Sequence, residues 1–160
     1  MSRKAARRHA FHLIYQLPFH LAGGASSLAE LKAHYYDFVS QDSKEIDGLG
    51  GLKRPAGRDA EYIDKAVWGV FEKQTVIDGV IEQFLKGWTV DRISKVDLAL
   101  LRLSIFEMLS VDDVPLGVAI NEAVDLAKEY GSDESPGFVN GVLGGVSKAI
   151  KAKGRENVGT

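Results

Sequence analysis

The sequence predicts an all-α fold, a helical bundle of about seven helices in two subdomains. Three observations carry this. Apolar residues recur at three- and four-residue spacing through nearly the whole chain. Helix-start and helix-stop residues bracket those stretches, and no run of strand alternation with a hairpin turn occurs. One segment, 94–109, is apolar around most of its circumference, which places it in the middle of the molecule.

Taken in order, residues 5–17 set Ala6, Ala10, Phe11, Leu13, Ile14 and Leu17 at helical spacing, and Pro18 ends the run. Ser27-x-x-Glu30 is a capping box opening a second helix over about 28–39, with Leu28, Leu31, Tyr35 and Phe38 along one side. Residues 40–58 are polar and glycine-rich and predict a long, mobile surface loop. A third helix covers about 59–73 on the stripe Tyr62, Ile63, Ala66, Val67, Val70 and Phe71. Thr75 can cap a fourth, running to about Lys86, with Gly87 suited to its end. Asp91 to Ile93 form a short connector, and Ser94 caps the central fifth helix. Pro115 breaks the chain again, a sixth helix spans 117–130 and closes at Gly131, and Ser135-Pro136 opens a seventh to about Ala149. The tail 151–160 is expected to fray. The whole is one domain, 1–160, with helical subdomains 1–87 and 88–150 packed on helix five.

Composition narrows the function. The 160 residues are 45% hydrophobic and 26% charged, which suits a compact domain rather than a disordered chain. The absence of cysteine removes disulfides, thiolate zinc sites, iron–sulfur clusters and cysteine nucleophiles. No apolar run approaches the roughly 20 residues that span a bilayer. The basic N-terminus lacks the apolar segment of a secretory signal, so no membrane is expected and the cytoplasm is the default. His9 and His12 lie one turn apart without a third ligand nearby, and the glycine clusters match neither phosphate-binding loop. The carboxylates all fall on faces that read as solvated. No catalytic residue, metal or cofactor is therefore expected.

Charge is unevenly placed. The first 29 residues hold Arg3, Lys4, Arg7 and Arg8 and no acid, a net +4, whereas the rest of the chain carries 16 basic and 22 acidic side chains, a net −6. On a helical wheel the four basic residues share the sector of Ala10, Phe11, Ile14 and Tyr15. A charged turn cannot continue a buried seam, so the seam is expected to stop near Ala10 and the basic turns to overhang as a phosphate-binding arm. The competing role is a solvated terminus. A second charge, Arg102, falls among Leu98, Leu101, Ile105, Phe106 and Leu109 on helix five. A guanidinium there requires a partner, and Glu122, at the edge of the apolar stripe of helix six, is the candidate.

From Val96 onward the residues are recognisable. VDLALLRLSIFEML, DVPLGVAINEAVDLAKEYG and S-x-x-FVNGVL at 135–143 closely resemble the bacterial transcription antitermination factor NusB family, and RKAARRHAFHLIYQL resembles its arginine-rich opening helix. The similarity is dense over about 91–143 and weak over 20–58. It implies an all-helical fold and binding, without catalysis, to boxA-like single-stranded RNA of ribosomal RNA leaders. It implies a heterodimer with NusE, the 30S ribosomal protein, which joins NusA, NusG and RNA polymerase in an antitermination complex.

Carried over by position, the resemblance implies an RNA surface of Arg3, Lys4, Arg7, Arg8, Phe84, Lys128, Tyr130, Glu134, Ser135 and Phe138. It implies a NusE surface that includes Tyr15 and Asp97 on one exposed face. Core packing is the competing role for Phe84 and Phe138. Gly117, where a basic residue is frequent, and Gly144-Gly145, in place of a more polar pair, depart from the family pattern and bear on the strength of RNA binding. Homodimers that cover the RNA surface also occur in such families. Two other functions compete: a protein-interaction module of the same fold without RNA binding, and the RNA-binding part of an rRNA methyltransferase, whose catalytic domain and cysteine nucleophile this chain would lack.

Overall fold

The structure, a computed structural model, describes residues 2–22, 28–41 and 55–158. Among these are seven α-helices and no strand: α1 (Arg3–Ala22), α2 (Leu28–Gln41), α3 (Gly57–Glu72), α4 (Gln74–Gln83), α5 (Lys95–Ser110), α6 (Leu116–Tyr130) and α7 (Ser135–Lys153). Single 3-10 turns occupy Val90–Arg92 and Arg155–Asn157. The expected capping residue Ser27 and most of the loop expected over 40–58 lie outside the described residues. The two ends of that stretch are helical, in α2 and α3. The chain divides into two compact units, Met1–Trp68 and Gly69–Thr160.

In the first unit, α1 pairs with α2. Its start is fixed by Ser2, whose Oγ accepts from the Ala5 amide at 3.1 Å, so a hydroxyl satisfies one of the free N–H groups of the first turn. Pro18 lies inside α1 rather than ending it, and the helix continues to Ala22. Ala6, Ala10, Leu13, Ile14 and Leu17 of α1 are buried, as are Leu28, Leu31 and Tyr35 of α2 and Ile63, Ala66 and Val67 of α3. Lys32 and Asp64 close the α2–α3 side at 3.0 Å, a half-exposed pair of small energetic weight.

This unit also buries a polar aromatic group. His9 is fully buried, and its Nδ1 lies 2.7 Å from the Tyr35 hydroxyl. The His12 ring stacks on Tyr35. Burial pushes both histidines down to about 4, and for His12 the nearby His9 and Arg8 add like-charge repulsion.

The second unit is built around α5. Every residue of α5 from Asp97 to Met108 is buried, and α4, α6 and α7 all pack on it. Ser94 caps it as the sequence predicts, its Oγ accepting from the Asp97 amide at 3.2 Å. Ser104 donates to the Ala119 carbonyl at 3.1 Å, which ties α5 to α6. Arg102 is buried as expected, but its partner is Asp78 of α4 and not Glu122. Arg102 Nε and Nη2 reach the two carboxylate oxygens at 2.9 and 2.8 Å in a fork-to-fork pair. Wheel geometry places the guanidinium in the core but does not say which neighbouring helix meets it. α4 belongs to the second unit, and the division between the two units falls within α3.

Further corrections are local. α4 ends at Gln83, a turn short of the expected Lys86. The N-cap of α7 is Glu134, with Ser135 already helical. The C-terminal segment is held, not frayed: α7 runs to Lys153, Arg155 donates to the Met108 carbonyl at 2.8 Å, and Val158 is buried. Asp97 and Glu107, read from the sequence as solvated, are both buried.

Two outcomes follow from these contacts. Asp78→Ala should destabilise the protein by about 3–5 kcal/mol in urea denaturation, because it strands a buried guanidinium, whereas Glu122→Ala should cost well under half of that. Stability should also fall on acidification from about pH 6.5 to 4. In that window the unfolded chain protonates His9 and His12 and the folded chain resists, so protons favour unfolding. Denaturation midpoints at pH 7.5, 5.5 and 4.5 measure this, and a His12→Asn variant should show a shallower loss.

Candidate nucleic-acid interface

The basic residues at the start of α1 do not overhang. Packing reaches Ala6, which is fully buried, and Arg7 beside it is only 5% exposed. Arg8 is half-buried, and Arg3 and Lys4 are exposed. Arg3 itself lies over the Tyr62 ring of α3, 4.5 Å from its centroid, a cation–π contact that fixes the helix start. The expectation that the buried seam stops near Ala10 is therefore corrected by a full turn. The cap at Ser2 makes the first turns part of the packed helix, so only two of the four cations face outward without burial.

The second unit carries two grooves. The first, about 430 Å³, opens between the starts of α5 and α7 and the end of α6, and includes Trp88, Arg92, Asp97, Tyr130, Glu134 and Phe138. The second, about 450 Å³, runs along α7 and includes Phe84, Lys86, Trp88, Phe138 and Gly141. Trp88 and Phe138 line both, so they form a shared aromatic wall. Trp88 is 59% exposed. Two flat apolar faces with cations at the margin (Arg92 in one groove, Lys86 in the other) are what a single strand of nucleic acid requires: stacking for bases and positive charge for phosphates.

Local sequence explains the walls. Gly145 of α7 has no side chain where the Phe84 ring lies, and a Cβ there would be 2.6 Å from Phe84 Cδ1. Gly145 thus seats Phe84 directly on the α7 backbone, half-buried, with its free side lining the second groove. Between α6 and α7 the turn is tight. Ser135 Oγ accepts from the Ser132 amide at 3.0 Å, and a Cβ at Gly131 would collide with Ser135.

Of the residues expected at the RNA surface, Phe84, Tyr130 and Phe138 are half-buried and line these grooves, and Glu134 is exposed on the first. Lys128 is exposed on α6 but lines neither groove. Ser135 is 2% exposed and belongs to the turn, so its hydroxyl is occupied in building the groove and is not presented to a ligand. Asp97, expected on an exposed face with Tyr15, is only 8% exposed and lines the first groove. Tyr15 is half-buried on α1. Sequence reasoning missed Trp88, Arg92 and Lys86. All three belong to the α4–α5 connector, which has no helical period, and the available signal was a tryptophan in a short polar connector after a glycine. Among the described residues no group of three or more His, Asp or Glu could hold a metal ion, and no helix is long and apolar enough to cross a membrane.

Comparisons with known proteins agree with one another. Residues 4–148 match the model of the NusB family. The transcription antitermination protein NusB of Acetivibrio thermocellus is 45% identical over 161 residues, covering 98% of this chain and 97% of the relative. The fold is similar to NusB of T. maritima, with a TM-score of 0.73 at 28% identity and 92% of each chain covered. It is also similar to a solved structure of antitermination factors NusB and NusE in complex with double-stranded RNA, with a TM-score of 0.70 at 29% identity over 92% of this chain and 96% of that one.

The burial of Arg7 separates it from its neighbours in a measurable way. Arg7→Ala should lower stability by about 1–3 kcal/mol, through lost packing of the guanidinium and its stem. Lys4→Ala, an exposed change, should stay within about 0.5 kcal/mol. Thermal and urea denaturation of the two variants checks this.

Proposed function

This chain belongs to the NusB family, and from that premise we propose that it is an RNA-binding transcription antitermination factor. It binds a boxA-like element of ribosomal RNA leaders as single-stranded RNA and acts together with NusE. The pair joins NusA, NusG and RNA polymerase in the cytoplasm. The function is binding and not catalysis. The observation that carries the reading is the aromatic wall of Trp88 and Phe138 shared by two grooves, with Tyr130 and Phe84 beside it. The NusB–NusE relative of known structure was solved with double-stranded RNA. Side chains cannot stack on bases that remain inside a duplex, so exposed aromatic faces favour an unpaired strand.

Each basic and aromatic group has a distinct part. Arg3 and Lys4, exposed on the first turn of α1, contact phosphates. Tyr130, Phe138 and Trp88 hold bases by stacking. Tyr15 contributes to the NusE surface, and Asp97 reaches a partner only through its groove. Lys128, on the exposed side of α6, adds a phosphate contact.

The experiment is electrophoretic mobility shift with boxA-like and scrambled RNAs, with and without NusE, at several salt concentrations. Each single-strand phosphate contact contributes about −0.7 to the slope of log affinity against log salt. Replacing Arg3 and Lys4 together by Ala should therefore flatten the slope by about 1.4 and weaken both RNAs alike. Tyr130→Ala should cost about 1–3 kcal/mol of affinity at an unchanged slope. An unchanged slope in the double variant would remove the α1 start from the RNA surface.

A further inference from the structure

We propose that Lys86 is a phosphate-binding residue of the second groove, held in a strained backbone conformation that the fold keeps for RNA. This rests on the RNA-binding reading above and adds to it the cation that holds the strand beside the end of α4.

The backbone leads there first. Lys86 has φ 49°, the only positive value at a non-glycine residue among the described residues. Gly87 follows with φ 91°, and the Trp88 amide donates to the Leu85 carbonyl at 3.2 Å. Two consecutive positive φ values inside such a hydrogen bond mark a type I′ turn, whose central pair is ordinarily Asn-Gly or Asp-Gly. Gly87 suits the second place. A lysine in the first is strained, because a left-handed residue brings its Cβ close to the following carbonyl oxygen. The turn is nonetheless held firmly. The Leu85 amide donates to the Glu82 carbonyl at 3.3 Å, and the Val90 amide donates to the Glu82 carboxylate, also at 3.3 Å. Strain that the surroundings hold in place is characteristic of functional sites.

The side chain then gives the role. Lys86 is exposed, and its ammonium makes no hydrogen bond or ion pair among the described residues. Glu82, one turn before it and its natural partner along the helix, instead accepts from Val90. Lys86 is the only charged side chain among the described residues that line the second groove. In the first groove, by contrast, Asp97 and Glu134 lie beside Arg92. A phosphodiester is therefore favoured in the second groove and opposed in the first. The turn also sets Lys86 and Trp88 on the same groove, a cation and a stacking face, which is the pairing a single strand requires. The rival role is a charge that complements the dipole at the end of α4. That role needs no left-handed residue, since Gln83, exposed in the last turn, could carry the charge at ordinary helical angles.

The test is fluorescence anisotropy with a dye-labelled boxA-like single-stranded RNA, without and with NusE, at several salt concentrations. Urea denaturation of each variant runs beside it. Lys86→Asn replaces the cation by a residue suited to the turn, so its urea midpoint should rise above that of the wild type. Its RNA affinity should fall about fivefold at about 0.1 M salt, with a salt slope flatter by about 0.7, the contribution of one single-strand phosphate contact. Lys86→Arg keeps both the charge and the strain and should restore the affinity and the slope. A variant that gains stability while losing RNA cannot owe the loss to misfolding. Unchanged affinity and slope in Lys86→Asn overturn the inference and leave RNA binding standing, which Tyr130→Ala tests separately. A lower urea midpoint in Lys86→Asn assigns the cation to the end of α4 and overturns it too. Loss of NusE affinity with RNA affinity intact gives Lys86 to an acidic group of the protein partner, which also overturns it. Failure of the wild type to bind the RNA, with NusE present, removes the RNA-binding reading itself and the role of Lys86 with it.

Discussion

The second unit depends on one constraint: α5 is buried from Asp97 to Met108, and it carries a cation inside. A helix apolar on all sides is stable only when surrounded, so α4, α6 and α7 are obliged to pack on it. The guanidinium of Arg102 then decides how α4 is placed, since Asp78 meets two of its three nitrogens in a planar fork. Hydrophobic contact alone is indifferent to small rotations of α4; a bidentate pair is not. A buried ion pair adds little net stability over an apolar pair of the same size, so its value here is geometric. It fixes the angle at which α4 delivers the connector bearing Lys86, Trp88 and Arg92 to the grooves.

The same rigidity shapes the grooves from the other side. Ser104 pins α6 to α5 through the Ala119 carbonyl, and the tight turn from Gly131 to Ser135 sets where α7 begins. Tyr130 and Phe138 stand at the two ends of that turn. Their separation is therefore set by a backbone hydrogen-bonded to a buried serine and not by the side chains themselves. Binding to such a wall requires little ordering of the protein, and less entropy is lost when a base stacks on it.

Much of this was legible in the sequence, and the limits have physical causes. Seven helices, the cap at Ser94 and the burial of Arg102 follow from periodicity and from the chemistry of helix ends, which are local properties. The partner of Arg102 was not legible, because a wheel gives the direction of a side chain on its own helix and nothing about the neighbour it meets. Pro18 reads as a stop, although a proline near a helix end loses few backbone bonds and α1 continues past it. The wheel places Arg7 on an overhanging phosphate-binding arm, because charge normally ends a buried seam, yet a long side chain next to Ala6 can bury its stem and keep a polar partner. Trp88 was invisible to the period because it lies between helices. The resemblance places Ser135 and Asp97 on contact surfaces, and the structure gives one a place in a turn and the other a place in a groove.

The charge distribution bears on how such a surface achieves selectivity. Phosphate contacts give affinity for any RNA, and their number is set by how many cations are exposed. Here Arg7 is buried, Arg8 is half-buried, and the chain after residue 29 carries a net −6. An acidic body opposes indiscriminate attachment to RNA, so the sequence-independent part of binding is held low. Discrimination then falls to groups that contact bases rather than phosphates. On a chain of net acidic charge, a partner protein that adds its own contacts to the same RNA raises affinity without raising the affinity for every other strand, because the two sets of contacts multiply only where both sites are engaged.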